Sequence, residues 1–473
     1  MKPESSGSST GTKRQPGAAR QGVLPFPAKE GEAPRNGNAE SQGPAAWREK
    51  RLKTAQLMEE VVTDENVSRA LRRVRANKGS AGIDGMTVEE LPRFLKAHGP
   101  ALRAKLLAGT YEPAPVRRHA IPKRGGGQRE LGIPTVLDRL IQQAILQVLE
   151  PIFDPTFSES SYGFRRGRDA HQAVRQAKRY IEEGYRWVVD LDLDKFFDRV
   201  HHDILMNRVA RRIGDRRILR LLGAYLRAGV MAEGVVHERE EGTPQGGPIS
   251  PLLANILLDE FDKELERRGH RFCRYADDAN IYVRTKRAGE RVMASARRFL
   301  EKRLRLKVNE AKSAVAQPFE RKFLSFSSTS HRPWKVRIAP QALERARERI
   351  RELTRRMRGR KLERVIAEIN DYLEGWIEYF RLAETPTVLR ALEQWIQRRV
   401  RGYAWKLWRG GRARYRHLTA WGVPRRQALA FAGTRAGPWR ASLALGMVLR
   451  PALLRSRGLL GLSDLYRERR LAT

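Results

Sequence analysis

The sequence predicts an α+β protein, and three observations support that prediction. Residues 271–283 place strand-forming side chains on either side of a short turn. A second strand-like stretch with alternating side chains lies upstream, at residues 185–198. From residue 340 onward the chain has apolar side chains at helical spacing and many basic residues. Strands gathered in one region and helices in another are typical of the α+β class.

The turn within residues 271–283 carries two adjacent carboxylates, Asp277 and Asp278. Like charges repel, so a fold that holds them close together usually supplies a cation between them. Mg²⁺ binds through one or two carboxylates and substrate phosphates, which suits such a pair. Taken alone, such a pair is more often an acidic surface turn, because Asp is common in turns.

The upstream stretch carries three more carboxylates, Asp190, Asp192 and Asp194, which alternate with aliphatic residues. On a strand with a period of two, these three side chains would share one face. Two strands that bear carboxylates predict two-metal phosphoryl transfer, in which cations roughly 3.5–4 Å apart stabilise the attacking and leaving oxygens.

Together these motifs resemble the palm of a reverse transcriptase. Residues 275–278 read Tyr-Ala-Asp-Asp, residues 192–198 read Asp-Leu-Asp-Lys-Phe-Phe-Asp, and residues 242–255 contain Pro-Gln-Gly. The combination is similar to the reverse transcriptases encoded inside bacterial group II introns. Over residues from about 50 to about 470, the resemblance implies a right-hand polymerase. Its parts would be fingers, a palm with an antiparallel sheet, and a helical thumb that doubles as a maturase domain.

The charge of the chain predicts a polyanionic partner. The sequence has 93 Lys and Arg residues against 54 Asp and Glu residues, a net charge of +39, which favours nucleic acid. The single cysteine, Cys273, excludes an internal disulfide and a Cys-rich zinc site. We find neither an apolar signal core nor the ~18 apolar residues of a membrane span. We therefore expect a soluble bacterial cytoplasmic protein with no membrane partner.

Composition and resemblance divide the chain into five predicted parts. In order, they are a disordered tail (1–45), an N-terminal extension (46–110), fingers and palm (111–330), a helical thumb or maturase domain (335–410) and a basic C-terminal nucleic-acid-binding region (411–473). Many group II intron proteins end in a zinc-stabilised nuclease. Because Cys273 is the only cysteine and His417 the last histidine, we expect no such module here.

The resemblance also implies roles for residues in the palm. Asp192, Asp277 and Asp278 would be the catalytic residues, and with Leu193 they would hold two Mg²⁺ ions. A short strand at Phe323–Phe326 would close the palm. The family usually has Gly where Ser325 stands, so the resemblance is weaker at this strand.

Five residues are predicted to contact the incoming nucleotide. Lys123 and Arg129 flank the tip of a predicted hairpin, where they would pair with the triphosphate, although ordinary hairpin cations would look the same. By resemblance, Phe196 would lie beneath the sugar and exclude a 2′-hydroxyl, and Gln245 and Lys312 would lie in or near the same pocket. If Phe196 is a core residue instead, its neighbour Phe197 becomes the candidate.

Two groups of arginines are predicted to bind nucleic acid. The first is interleaved with aromatic residues that can stack on bases: Arg165, Arg166 and Arg168. The second follows three predicted helices at residues 341–358, 365–381 and 387–408: Arg409, Arg412, Arg414 and Arg416. Some of the tryptophans in these helices must be core, because a helix needs an apolar face.

The sequence therefore predicts an RNA-directed DNA polymerase that uses deoxynucleoside triphosphates and an RNA template with a DNA primer. The resemblance adds binding of group II intron RNA and target DNA, with roles in splicing and retrotransposition. Two alternatives stay open: a splicing cofactor that binds RNA without catalysis, and a reverse transcriptase recruited to host defence or repair.

Overall fold

The computed structural model describes residues 54–122, 128–232, 235–237, 242, 246–355 and 360–471. The strands are β1 (Val116–Pro122), β2 (Gln128–Ile133), β3 (Trp187–Leu191), β4 (Val230–Ala232), β5 (Val235–His237), β6 (Arg271–Tyr275), β7 (Asp278–Val283), β8 (Ala314–Ala316), β9 (Phe326–Ser328) and β10 (Val336–Ile338). The predicted tail at 1–45 lies outside the described residues.

The helices up to the end of the palm are α1 (Leu57–Val61), α2 (Asp64–Ala76), α3 (Leu91–Ala108), α4 (Val136–Phe153), α5 (Ala170–Glu182), α6 (His202–Ala210), α7 (Arg216–Arg227), α8 (Ser250–Arg267) and α9 (Lys286–Arg303). The helices after the palm are α10 (Pro340–Leu353), α11 (Leu362–Phe380), α12 (Pro386–Leu407), α13 (Gly411–Ala420), α14 (Arg425–Ala432), α15 (Pro438–Ala444), α16 (Pro451–Ser456) and α17 (Leu462–Leu471). None of the helices in the described ranges is long and apolar enough to cross a membrane.

The fingers sheet has the strand order β2-β1-β4-β5. β1 and β2 pair antiparallel, which confirms the predicted hairpin, and β4 joins β1 in parallel. The helix α4 follows directly, and Thr135 caps its first turn. The Thr135 side-chain oxygen accepts a hydrogen bond from the Asp138 backbone N–H at 3.0 Å.

The palm sheet is antiparallel throughout, with the order β6-β7-β3-β8. Its two faces pack into different apolar clusters. Val189 and Ile281 belong to a cluster with α4, α6, α7, α8 and the N-terminal helices. Val188 and Tyr282 belong to a second cluster that contains the helices from α10 onward. The sheet that carries the acidic motifs therefore lies between two cores.

The three helices predicted for the thumb are present as α10, α11 and α12. The helices that follow continue the same apolar cluster, which includes Trp405 at 1% exposure, together with Trp408, Leu418 and Leu465. The basic C-terminal region is thus folded against the thumb helices by its apolar side chains.

The short strand predicted at Phe323–Phe326 is wrong in position. Phe323 and Phe326 exchange backbone hydrogen bonds across a tight turn, and the strand itself is β9, which begins at Phe326. Leu324 and Ser325 have φ angles of 52° and 67°, a left-handed backbone that cannot continue a strand. β9 pairs with β10 in a separate two-stranded sheet.

Candidate active site

The two adjacent carboxylates lie where β6 turns into β7, at one end of the palm sheet. Tyr275 and Asp278 are the last paired residues, so the turn consists of Ala276 and Asp277 alone. Ala276 has a φ of 58°, and it is the turn residue with a left-handed backbone. A two-residue turn with positive φ at its first position has the type II′ pattern, which normally takes Gly there. The predicted strand–turn–strand arrangement is confirmed.

The upstream acidic stretch is only partly a strand. β3 ends just before Asp192, and Lys195 has a left-handed φ of 48°. Asp194 lies in this bend and forms an ion pair with Arg199 at 3.1 Å. The expectation that Asp190, Asp192 and Asp194 share one strand face is therefore wrong for Asp194, because the extended backbone has already ended.

A loop after α9 fixes the position of Asp192. The Asn309 backbone N–H donates to the Asp192 carbonyl at 2.8 Å, and the Asp192 N–H donates to the Ser313 hydroxyl at 3.0 Å. Lys312 Nζ lies 3.3 Å from Asp192 Oδ2. The structure therefore places Lys312 beside the acidic cluster, as the sequence predicts.

Four carboxylates lie close enough to influence one another's charge. Burial, together with the negative charges of Asp190, Asp277 and Asp192, raises the pKa of Asp278 to about 7. Burial also raises the pKa of Asp190, although Arg321 opposes that shift by donating to its carboxylate at 2.7 Å. Such crowding favours a protonated or metal-bound site over a bare cluster of charges.

The donor set fits a hard divalent cation. Asp192, Asp277 and Asp278 offer carboxylate oxygens, the ligands that Mg²⁺ prefers. Leu193, the fourth predicted metal contact, has its side chain buried in the apolar core. In the part of the chain that the structure describes, no three His, Cys, Asp or Glu side chains form a metal cage by themselves. Because Mg²⁺ keeps waters and shares substrate phosphates, the absence of a closed protein cage is compatible with Mg²⁺ binding.

The described residues include only part of the predicted nucleotide pocket. Phe196 is 3% exposed, and its ring packs edge-to-face against half-buried Phe197, with 5.1 Å between ring centres. Both rings therefore stay candidates for the sugar contact. Lys123 and Gln245 lie outside the described residues, and for Arg129 the structure gives only the backbone, in β2.

The first group of predicted nucleic-acid arginines has three different environments. Arg165 is 8% exposed and forms an ion pair with Asp154 at 2.8 Å, so little of its guanidinium is left for a phosphate. Arg166 is exposed. Arg168 pairs with Glu159.

The second group is divided between the surface and the interior. Three members are exposed: Arg409, Arg412 and Arg416. Arg414 instead lies over the Trp405 ring, 4.0 Å from its centre, and donates to the Thr434 carbonyl at 2.9 Å. Arg414 thus holds α13 against the preceding and following segments.

Two charged residues near the site were missed by sequence reasoning. Asp190 was noted as part of the acidic strand but was not assigned to the site. Arg274 is 1% exposed beneath the turn that carries Asp277, where it contacts several segments. A basic residue between two strand formers in β6 was the available signal, since a short strand that packs against a core seldom buries a cation without a partner.

Comparisons with known proteins agree with this geometry. A family model described as reverse transcriptase (RNA-dependent DNA polymerase) matches residues 121–328, which include every predicted catalytic aspartate. A second model, described as the group II intron maturase-specific domain, matches residues 343–422, which include α11 and α12.

Three relatives illustrate the similarity. Protein YkfC of Escherichia coli (strain K12) is 36% identical over 304 residues, covering 56% of this chain and 80% of YkfC. Group II intron-encoded protein LtrA of Lactococcus lactis subsp. cremoris is 39% identical over 202 residues, covering 41% of this chain and 32% of LtrA. The putative COX1/OXI3 intron 2 protein of Saccharomyces cerevisiae is 35% identical over 195 residues, covering 41% of this chain and 22% of the yeast protein. The matched segment thus spans only about a third of LtrA.

Proposed function

Because this chain belongs to the family of group II intron-encoded reverse transcriptases and maturases, we propose that it is an RNA-directed DNA polymerase that also assists intron splicing and retrotransposition. The observation that supports this proposal best is the grouping of Asp192, Asp277 and Asp278 at the end of the palm sheet. The three residues come from two segments about 85 positions apart in the sequence, and the family's polymerase model covers both.

The reaction is templated DNA synthesis. A primer 3′-oxygen attacks the α-phosphate of a deoxynucleoside triphosphate, and pyrophosphate leaves. Two Mg²⁺ ions, when bound, supply positive charge that stabilises the attacking and leaving oxygens. Asp192, Asp277 and Asp278 provide the carboxylates for those ions, and Lys312 adds a cation beside Asp192. Lys123 and Arg129 are proposed to pair with the triphosphate.

The helices after the palm are proposed to bind the intron RNA. They carry the match to the maturase-specific domain and a surface with many cations. The exposed arginines around α13 supply the phosphate contacts in this proposal, and exposed Arg166, in the loop before α5, adds one outside these helices. Target DNA is the further partner expected of a protein that primes insertion.

Primer extension on an RNA template with Mg²⁺ tests the polymerase proposal. Asp277→Asn and Asp192→Asn should each abolish DNA synthesis, because metal and triphosphate binding need the carboxylate charges. Structured-RNA binding should stay nearly unchanged, since the proposed RNA surface lies on other helices. Extension at the wild-type rate by either variant would remove the two-metal assignment. RNA binding by a wild-type chain that does not extend primers would favour the non-catalytic splicing cofactor.

A further inference from the structure

A buried arginine beneath the catalytic turn has no role in the chemistry described above. Arg274 in β6 is 1% exposed, and its partner Asp262 on α8 is fully buried. Arg274 Nη2 lies 2.6 Å from Asp262 Oδ2, and Nε lies 2.7 Å from Oδ1, a two-pronged pair. The remaining guanidinium protons are donated at 2.7–3.0 Å to Ser161 Oγ, Asn255 Oδ1 and the Ala276 carbonyl.

The contact with Ala276 is the important one, because it reaches the turn that carries Asp277. Ala276 has a φ of 58°, a conformation in which the Cβ of an L-residue crowds the following carbonyl oxygen. Gly would adopt it freely, so an Ala at this position must be held by its surroundings. A charged donor 2.9 Å from the Ala276 carbonyl, in a site without solvent exposure, provides such a restraint.

A glycine packs against the same turn. A Cβ added at Gly163 would collide with the Ala276 backbone and would lie 2.9 Å from the Tyr275 carbonyl carbon. The Gly163 carbonyl also accepts a hydrogen bond from Asn255 at 2.9 Å, and Asn255 in turn accepts one from Arg274. One buried network therefore joins this loop, α8 and the catalytic turn.

We propose that Arg274 is a positioning residue that holds the strained turn and thereby fixes the place of the Asp277 carboxylate. This inference rests on the proposed polymerase function and deepens it. Lysine is a poor substitute, because its single ammonium group cannot donate two parallel hydrogen bonds to Asp262 and also donate to the Ala276 carbonyl. The effect should be on the chemical step, since misplacement of a reacting group by 1 Å can cost about 100-fold in rate.

A double-mutant cycle between Arg274 and Ala276 tests the proposal. Arg274→Lys keeps a positive charge beside Asp262, and kcat for primer extension should fall about 10- to 100-fold. The KM for deoxynucleotides should change little, because the proposed triphosphate contacts lie in the fingers. In an Ala276→Gly background the same substitution should cost only a few-fold, since Gly needs no restraint at positive φ. Equal losses in both backgrounds, or no loss in either, would overturn the proposal.

Two controls separate positioning from general loss of stability. Arg401 is also a buried arginine, 8% exposed, and donates to the Leu449 carbonyl at 2.8 Å within the C-terminal helices. Arg401→Lys should lower the melting temperature but leave kcat at its wild-type value. If Arg401→Lys lowers kcat as much as Arg274→Lys does, the effect is general destabilisation and the proposal fails.

Gly163→Ala provides a second variant should Arg274→Lys fail to fold. Gly163→Ala should lower kcat at least tenfold, because the added Cβ displaces the turn. Gly375→Ala is the control: no atom lies within 4 Å of a Cβ at that position, so kcat should stay at its wild-type value. Full activity of Gly163→Ala would contradict the proposal. Asp277→Asn in the same assay separates the polymerase function from the positioning role. If Asp277→Asn abolishes extension while Arg274→Lys leaves kcat at its wild-type value, only the positioning role of Arg274 is lost.

Discussion

Arg165 and Arg166 are neighbours in the sequence but have different surroundings in the structure. Arg165 donates to Asp154 and to the carbonyls of Ser158 and Ser161, which ties its own loop together. Arg166 is exposed and is the better candidate for a phosphate contact. For single residues, the burial of the guanidinium decides whether a cation supports the fold or is accessible to nucleic acid.

The sugar-selectivity prediction concerns two adjacent rings. Phe196→Ala should raise ribonucleotide incorporation relative to deoxynucleotide incorporation about 10- to 100-fold, if its ring excludes the 2′-hydroxyl. The measurement is the ratio of kcat/KM for the two nucleotide classes, with Phe197→Ala as the matched variant. Phe196 is 3% exposed, and a core Phe→Ala change costs about 3–5 kcal/mol. Lost stability with unchanged selectivity would identify Phe196 as core and make Phe197 the candidate.

His202 gives a prediction about pH. Its Nε2 donates to the Gly242 carbonyl at 2.6 Å, next to the Pro-Gln-Gly segment, and burial lowers the pKa of His202. The unfolded chain therefore takes up a proton that the folded chain resists, so stability is lost as pH falls through about 6.5. His202→Gln keeps a donor but does not titrate, so its urea midpoint should fall less than that of the wild type between pH 7 and pH 5.

Exposed His331 provides the control for this experiment. His331→Gln should leave the pH dependence of the urea midpoint as it is in the wild type, because an exposed ring loses little hydration on folding. If His202→Gln retains the full wild-type pH dependence, the acid sensitivity comes from other groups.

At the scale of elements, the turn before β9 explains the one departure from the family pattern noted in the sequence. Ser325, where the family usually has Gly, has a φ of 67°. Gly reaches this region without a steric penalty, whereas Ser must be held there. Arg345 donates to the Ser325 hydroxyl at 2.9 Å, a contact that Gly could not make. The turn before β9 therefore forms with Ser325 in the position where the family usually has Gly.

The helix α13 and the residues before it give the element-scale prediction. Replacing the exposed residues Arg409, Arg412 and Arg416 together by Ala should weaken structured-RNA binding and flatten its salt dependence. Each lost phosphate contact should reduce the log–log slope by roughly 0.7–0.9. Primer extension on a short duplex should suffer less, because palm and fingers grip that substrate. Salt titrations of RNA affinity, run beside extension assays, provide the comparison.

Arg414→Ala is the matched variant for the surface triple. It removes the contact with the Trp405 ring and the bond to the Thr434 carbonyl, so it should lower the melting temperature with little change in salt slope. An unchanged slope in the triple variant would show that this surface is not a separate RNA-binding site. Equal losses of RNA binding and of primer extension in the triple variant, with the protein still folded, would show the same.

At the scale of the whole molecule, the palm sheet depends on both of its covering cores. Cys273 lies in the apolar cluster that α5 forms with the helices after β10, and it is fully buried. Burial raises the pKa of its thiol, so the thiol should react slowly while that core is closed. Because the sequence has a single cysteine, this thiol can report on the contact between palm and thumb.

A chain that ends at residue 334 should expose part of this face. Val188, Cys273 and Tyr282 would lose the cover of the later helices but keep that of α5, so Cys273 should react with a thiol reagent faster than in the intact chain and more slowly than in urea-unfolded protein. The intact chain should react only after unfolding begins. A shortened chain that stays folded with a protected thiol would show that the palm does not need the thumb helices for its stability.

The sequence by itself determined the local elements and the motifs they carry. The acidic hairpin, the fingers hairpin and the three thumb helices follow from side-chain periodicity and turn residues, which act over a few positions. The carboxylates Asp192, Asp277 and Asp278 were identified as candidates in the same way, together with the resemblance to intron-encoded reverse transcriptases. These signals are contained in neighbouring residues, so they can be read without knowing what the chain packs against.

Only the tertiary structure decided which charged residues lie beside the candidate site and which support it. Asp194 leaves the acidic face because the backbone bends at Lys195, while Asp190 stays in the sheet beside Asp278. Arg274 depends on Ser161, 113 positions away in the sequence. The free energy of a buried charge is set by such distant partners, and no periodicity within a short window records them.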